Sequence, residues 1–170
     1  MKTKAVSGPG LMASAAICLI GSLTESASAE VMWSAGAWLA VVVSAIAYRD
    51  IARHARRVPS AVALALLGFV ASAWTVEATL RVAGQPWITA HPGPLFAVVG
   101  VAAIGNAQLA YAAGRAELVH PATGMIIAIA ALLSTLTADP GAPYLLGAGP
   151  LGAVLLARAI RSRMSKGRTT

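Results

Sequence analysis

Charge is scarce in this chain. Asp, Glu, Lys and Arg make up 11% of its 170 residues and 58% are hydrophobic, whereas a soluble domain carries about 25% charge. A water-soluble fold of this size keeps much of its surface exposed and could not hide so much apolar area. Lipid is therefore the expected solvent. Cysteine is almost missing: Cys18 stands alone in an apolar run. One thiol excludes an intrachain disulfide, and no Cys/His spacing suits a metal. Gly-x-Ser-x-Gly, His-Glu-x-x-His and phosphate-binding glycine loops are all absent. His54, His91 and His120 fall outside the expected spans, which argues against a haem pair. No cofactor is expected. Aromatics are few and Ala and Gly abundant, which suits helices packed closely in lipid.

The remaining charges divide the sequence. Uncharged runs cover residues 5–24, 31–48, 58–76, 82–114, 118–138 and 140–157. A spanning helix needs about 20 mostly apolar residues at about 1.5 Å each. Five runs fit one span apiece. The sixth, Val82 to Gly114, is too long for one span and too short for two with a turn. Gly84, Pro86, Pro92, Gly93 and Pro94 make residues 82–93 a loop and Pro94–Gly114 the helix. Residues 61–68 are apolar on both parities, which excludes a barrel strand. The expected fold is an all-α integral membrane bundle of six short transmembrane helices: 8–26, 31–48, 59–80, 94–114, 121–138 and 143–160. Residues 1–160 form one domain and 161–170 a basic cytoplasmic tail. His91-Pro92 and His120-Pro121 open similar segments from opposite faces, as an inverted repeat requires.

Orientation follows from the basic residues. With the N-terminus inside, twelve of the thirteen Lys and Arg face the cytoplasm and Arg81 alone lies outside. Both termini are then cytoplasmic, in a cell inner (plasma) membrane. Ten Arg against three Lys, with abundant Ala, suggests a bacterial source. The net charge of +7 sits at span ends rather than on one folded face, which excludes nucleic acid as a partner. Lys2, Lys4, the apolar stretch to Leu23 and Ala27-Ser28-Ala29 resemble a signal peptide. Cleavage would leave five spans; an uncleaved first helix is favoured, because the next span begins almost at once.

Polar groups inside spans are costly and worth naming. Glu77 lies about 27 Å from Pro59 along the helix, near the outer interface. Arg81 is four residues on, which places a Glu77–Arg81 ion pair at the helix end, or an ion site at the bundle mouth. Asn106 lies about 18 Å from Pro94, close to mid-bilayer, and Gln108 points to a different neighbour. Both suit interhelical amide bonds. Ser134, Thr135 and Thr137 are candidate partners, or bond back to their own helix. Gly36 with Ala40, Gly68 with Ser72, Ala103 with Ala107, and Ala110 with Gly114 are spaced for close helix contact. Gly149-Pro150 falls within the last span and should kink it. Trp33, Trp74 and Trp87 are expected at the outer interface as anchors, and Trp38 against another helix.

Tyr48-Arg49-Asp50 followed by Arg56-Arg57-Val58-Pro59 is similar to the first aspartate region of prepilin peptidases, membrane proteases that use two aspartates. The resemblance covers about a dozen residues. Its Gly-x-Gly-Asp counterpart is missing, and Asp139 falls on the opposite face. The functional expectation is a non-enzymatic transporter-like unit, or an embedded subunit of a larger complex, which self-associates or binds another membrane protein. The alternatives are a membrane enzyme acting on a lipid or peptide through residues 82–93, and a sensor signalling through its basic tail. Impermeant labels applied from the cell exterior should fail to reach the C-terminal arginines; labelling there would overturn the orientation.

Overall fold

The uncharged runs form helices wherever proline and glycine allow. The computed structural model of the protein describes residues 3–24, 28–54 and 57–167. Among these residues there is no strand. The helices are α1 (Thr3–Leu23), α2 (Ala29–His54), α3 (Arg57–Val82), α4 (Pro92–Arg115), α5 (Pro121–Leu133) and α6 (Gly149–Gly167). Between the last two lie a 3-10 turn at Ser134–Thr137 and a π-helical turn at Tyr144–Ala148. Prolines open α4 and α5, where a missing N–H has no helical partner to lose. His91 and His120 precede them in extended backbone, and His120 Nδ1 accepts the Ala122 N–H at 3.3 Å.

Four segments are long and apolar enough to cross a bilayer: Ala29–Ile46, Ser60–Val82, Pro92–Arg115 and Tyr144–Ser162. Ser7–Leu23 and Pro121–Thr137 are shorter apolar helices. The basic segment expected as a tail is helical through Gly167, as the end of α6. The first three helices begin earlier in the sequence than expected, and α4 begins at Pro92 rather than Pro94. The side chains of residues 47–59, Asp50 and His54 included, lie outside those described, as do Glu25 and Ala27.

Each helix packs on its neighbour in sequence, and α6 returns to α1. Short links make those neighbours antiparallel. The π turn touches α1, α4 and α5, and so closes the ring where α5 and α6 meet little. One end of the ring carries the end of α1, the start of α2 and the links 83–91 and 138–143, and is called upper here. Trp74, Tyr144, Leu67, Val70, Val99 and Leu151 are fully buried in the core. Ile20, Val42, Phe69, Val76, Ile126 and Ile129 are exposed on the perimeter.

Small residues set the helix spacing at particular crossings. A Cβ on Gly36 would lie 3.0 Å from the Ser14 carbonyl and would collide with Cys18 Sγ. There Ser14 donates its hydroxyl to the Gly36 carbonyl at 2.7 Å, joining α1 to α2. Gly124 of α5 meets the Ala110 carbonyl and Gly114 of α4 as closely. Gly8 and Gly152 bring α1 and α6 backbone to backbone. The expected contact at Gly68 and Ser72 does not form within the chain: Gly68 has nothing within 4 Å of a built Cβ, and Ser72 is exposed. That pair sits on the perimeter face of α3, not between helices.

Gly124→Ala must therefore displace α4 backbone, at a cost of about 1–3 kcal/mol. Gly68→Ala meets open space and gains the helical preference of alanine, about 1 kcal/mol. Thermal unfolding in detergent should show a lowered midpoint for the first and an equal or higher one for the second.

Candidate functional site

The upper end of the ring is held by an acid that bonds a loop. Glu77 lies on the buried face of α3, one turn below its end, and is fully buried. Its Oε2 accepts the backbone N–H groups of Trp87 at 3.0 Å and Ile88 at 2.8 Å. Its Oε1 accepts the N–H of Thr89 at 2.9 Å and the Thr89 hydroxyl at 2.6 Å. The four donors occupy both oxygens and fasten the 83–91 loop onto α3. Gly84, with a φ of +76°, turns the chain back toward them. The expected partner, Arg81, turns elsewhere. It donates to Glu30 Oε1 at the start of α2 through Nε at 3.0 Å and a terminal nitrogen at 2.5 Å. It also reaches Thr89 Oγ1 at 3.2 Å. Antiparallel pairing of α2 and α3 explains this, since it sets the start of one beside the end of the other. Glu30–Arg81–Thr89–Glu77 is thus one continuous polar chain across three segments.

The opposite side of the upper end is irregular. Ala138 closes the 3-10 turn in the left-handed region, with a φ of 53°. Asp139 Oδ1 accepts the Ser22 hydroxyl at 2.5 Å and the Gly141 N–H at 2.7 Å. Trp33 Nε1 donates to the same Ser22 oxygen at 3.3 Å. Gly141 lies against the Cys18 carbonyl, about 8 Å below the top of α1 at the standard rise. The link therefore dips into the ring before the chain resumes its helix. Pro150 explains the π turn that follows. A proline ring clashes with the carbonyl four residues back and offers no N–H. A wider turn moves that carbonyl aside, and the Gly149 N–H bonds to the Tyr144 carbonyl five residues back. Gly149 and Pro150 then open α6, where a missing donor is tolerated.

Asn106 meets this turn. A Cβ on Gly147 would lie 2.7 Å from Asn106 Cβ, so the glycine leaves room for the asparagine. Asn106 donates Nδ2–H to the Ala102 carbonyl of its own helix at 2.9 Å. Its Oδ1 is buried without a hydrogen-bond partner, as are the Tyr144 hydroxyl, Trp74 Nε1, Glu30 Oε2 and Ser44 Oγ. Gln108, two residues on, is half-buried. Ser134, Thr135 and Thr137 bond carbonyls of their own segment, at Ala131, Leu132 and Ser134.

The tryptophans divide differently from the sequence expectation. Trp74 is fully buried and packs on Trp33, ring centres 5.0 Å apart. It is a core residue, because its position on α3 shares the buried face of Glu77 three residues on. Trp87 is exposed, and Trp38 lies exposed on the α2–α3 seam, donating to Thr75 Oγ1 at 3.0 Å. Tyr144, and Glu30 as the partner of Arg81, were not singled out from the sequence. The α2–α3 hairpin was a readable signal for Glu30; Tyr144 had none, since it reads as one more apolar residue. Among the described residues no group of three or more His, Cys, Asp or Glu is placed to hold a metal ion.

Glu77→Ala leaves three N–H groups and a hydroxyl without their acceptor, at about 1–3 kcal/mol for each that stays out of water, the buried Ile88 N–H first. Limited proteolysis should then cut the 83–91 segment faster than in the parent protein, and the folded yield should fall. Unchanged protection would show that the loop stands without this carboxylate. Compared with known proteins, the chain matches no family model, no curated protein and no solved structure.

Proposed function

We propose that the protein is a multi-pass integral protein of a bacterial inner membrane that works without enzymatic chemistry as a small transport unit. Its six apolar helices all cross the bilayer, with both termini in the cytoplasm and the upper end outside. The apolar perimeter supports the membrane placement: exposed Phe69, Val76, Ile126 and Ile129 would be a liability in water and are ordinary against lipid. The basic ends of α2, α3 and α6 support the orientation.

One observation carries the transport reading. Asn106 Oδ1 and the Tyr144 hydroxyl are buried without protein partners beside a broken helix. Broken helices at mid-membrane depth are where transporters expose binding groups, and an unmet polar group there is costly enough to need a reason. Glu77 is unavailable for this work because four donors already hold it.

A second reading, an embedded subunit of a larger assembly or a homo-oligomer, is favoured by a polar set on the perimeter. Ser34 and Thr75 hydroxyls lie 2.8 Å apart and Trp38 joins them, all on the α2–α3 seam with Ser72 and Thr79 beside them. Hydroxyls facing lipid are better placed against another helix.

Purified protein in proteoliposomes should pass a small solute from a panel of ions, polyols and amides. Asn106→Leu should lower that flux at least tenfold with insertion and helix content unchanged. A silent panel, together with co-purification of a stoichiometric membrane partner in mild detergent, would replace transport with the subunit reading.

A further inference from the structure

Four of the unpartnered polar atoms sit on four different elements: Glu30 Oε2 on α2, Trp74 Nε1 on α3, Asn106 Oδ1 on α4 and the Tyr144 hydroxyl on the π turn. Each residue is at most 2% exposed, so all four side chains are buried in the bundle. They descend in steps. Glu30 is in the first turn of α2. Trp74 lies about 12 Å below the end of α3, and Asn106 about 21 Å below the start of α4, at the standard rise. Tyr144 stands one turn above Gly147, the residue that Asn106 touches. α4 packs against both α3 and the π turn, and so joins the series.

Their chemistry is mixed. An indole N–H donates and does not accept; an amide or carboxylate oxygen accepts; a phenol does both. The one charge within the set is balanced, because Glu30 already holds the Arg81 guanidinium, and the Glu77 carboxylate nearby has its acceptor sites filled by four neutral donors. A cation would find one amide oxygen and a phenol at the lower steps, and an anion one indole and a phenol. A neutral molecule with both donors and acceptors matches the whole series. We infer that Glu30, Trp74, Tyr144 and Asn106 form a descending set of binding positions for small uncharged hydrogen-bonding molecules, with water the smallest and glycerol or urea representative of larger ones. This rests on the transport reading and names its cargo class. The π turn gives the set its lower half, since it carries Tyr144 and, through the bare Gly147, seats Asn106.

Two measurements on the full chain separate the site from the transport. X-ray radiolysis of the detergent-solubilised protein, read by mass spectrometry, oxidises buried side chains that have bound water beside them. Trp74 and Tyr144 should be modified at least tenfold above the background of an unirradiated, radical-quenched control. In Asn106→Leu, Tyr144 modification should fall several-fold, and in the near-isosteric Tyr144→Phe, Trp74 modification should fall likewise. Stopped-flow light scattering on proteoliposomes then reports water, glycerol and urea permeability, with sodium and potassium flux measured alongside. Modification with permeability to the neutral probes supports both site and transport. Modification with no permeability keeps the site and ends the transport reading. Absent modification at both aromatics, or sodium or potassium flux abolished by Asn106→Leu, overturns the inference.

Discussion

A polar group withdrawn from water has to be met by the chain itself, and the Glu77 carboxylate is where that demand is answered most fully. It takes the three successive N–H groups of residues 87–89, which would otherwise lie in an irregular link with no secondary structure to absorb them. Thr89 passes the connection to Arg81, and Arg81 to Glu30. The tops of α2 and α3 and the entry to α4 are therefore one bonded unit. Its acid is structural because its whole hydrogen-bonding capacity is spent.

The other half of the ring is built on a different principle. From Ser134 to Pro150 the chain passes through a 3-10 turn, a left-handed residue, a dipping link and a π turn before it regains a regular helix. Asp139 and Ser22 fix the top of this path, and Gly141 and Gly147 let it lie close to α1 and α4. Regularity on one side and broken geometry on the other give the ring two unlike walls. The lower end has its own tie. Arg158 of α6 donates to the Glu117 and Leu118 carbonyls at 2.8 and 2.5 Å, in the link after α4 where Glu117 is left-handed.

Much of this was readable from residue order. The charge gaps delimited six helices, because a helix that meets apolar surroundings cannot carry stray charge cheaply, and the His-Pro pairs placed two starts to within two residues. Asn106 was expected to bond a neighbouring helix and instead donates to the Ala102 carbonyl of its own, because the facing residue, Gly147, has no side chain to offer; the bonding of Ser134, Thr135 and Thr137 to their own segment did follow from residue type. The partner of Arg81 did not follow, because a four-residue spacing within one helix looked sufficient and the competing acid is 51 residues away. The burial of Trp74 was hidden by its height, which suits an anchor equally well. Tyr144 was hidden because the register of a π turn depends on a proline six residues on, and its consequence is tertiary. Gly68 and Ser72 show the converse: spacing alone cannot say which face of a helix meets another.

The meeting of Gly8 with Gly152 has a bearing on how the molecule is made. These two positions are nearly a full chain length apart, yet their backbones touch and close the circle. A ribosome delivers α1 before α6. Until α6 is made, the glycine-bearing side of α1 has no mate in this ring, and the wall formed by α2, α3 and α4 stands as an open crescent. Closure of the ring thus waits on α6, and a chain halted before it would leave that side of α1 available to any other helix nearby.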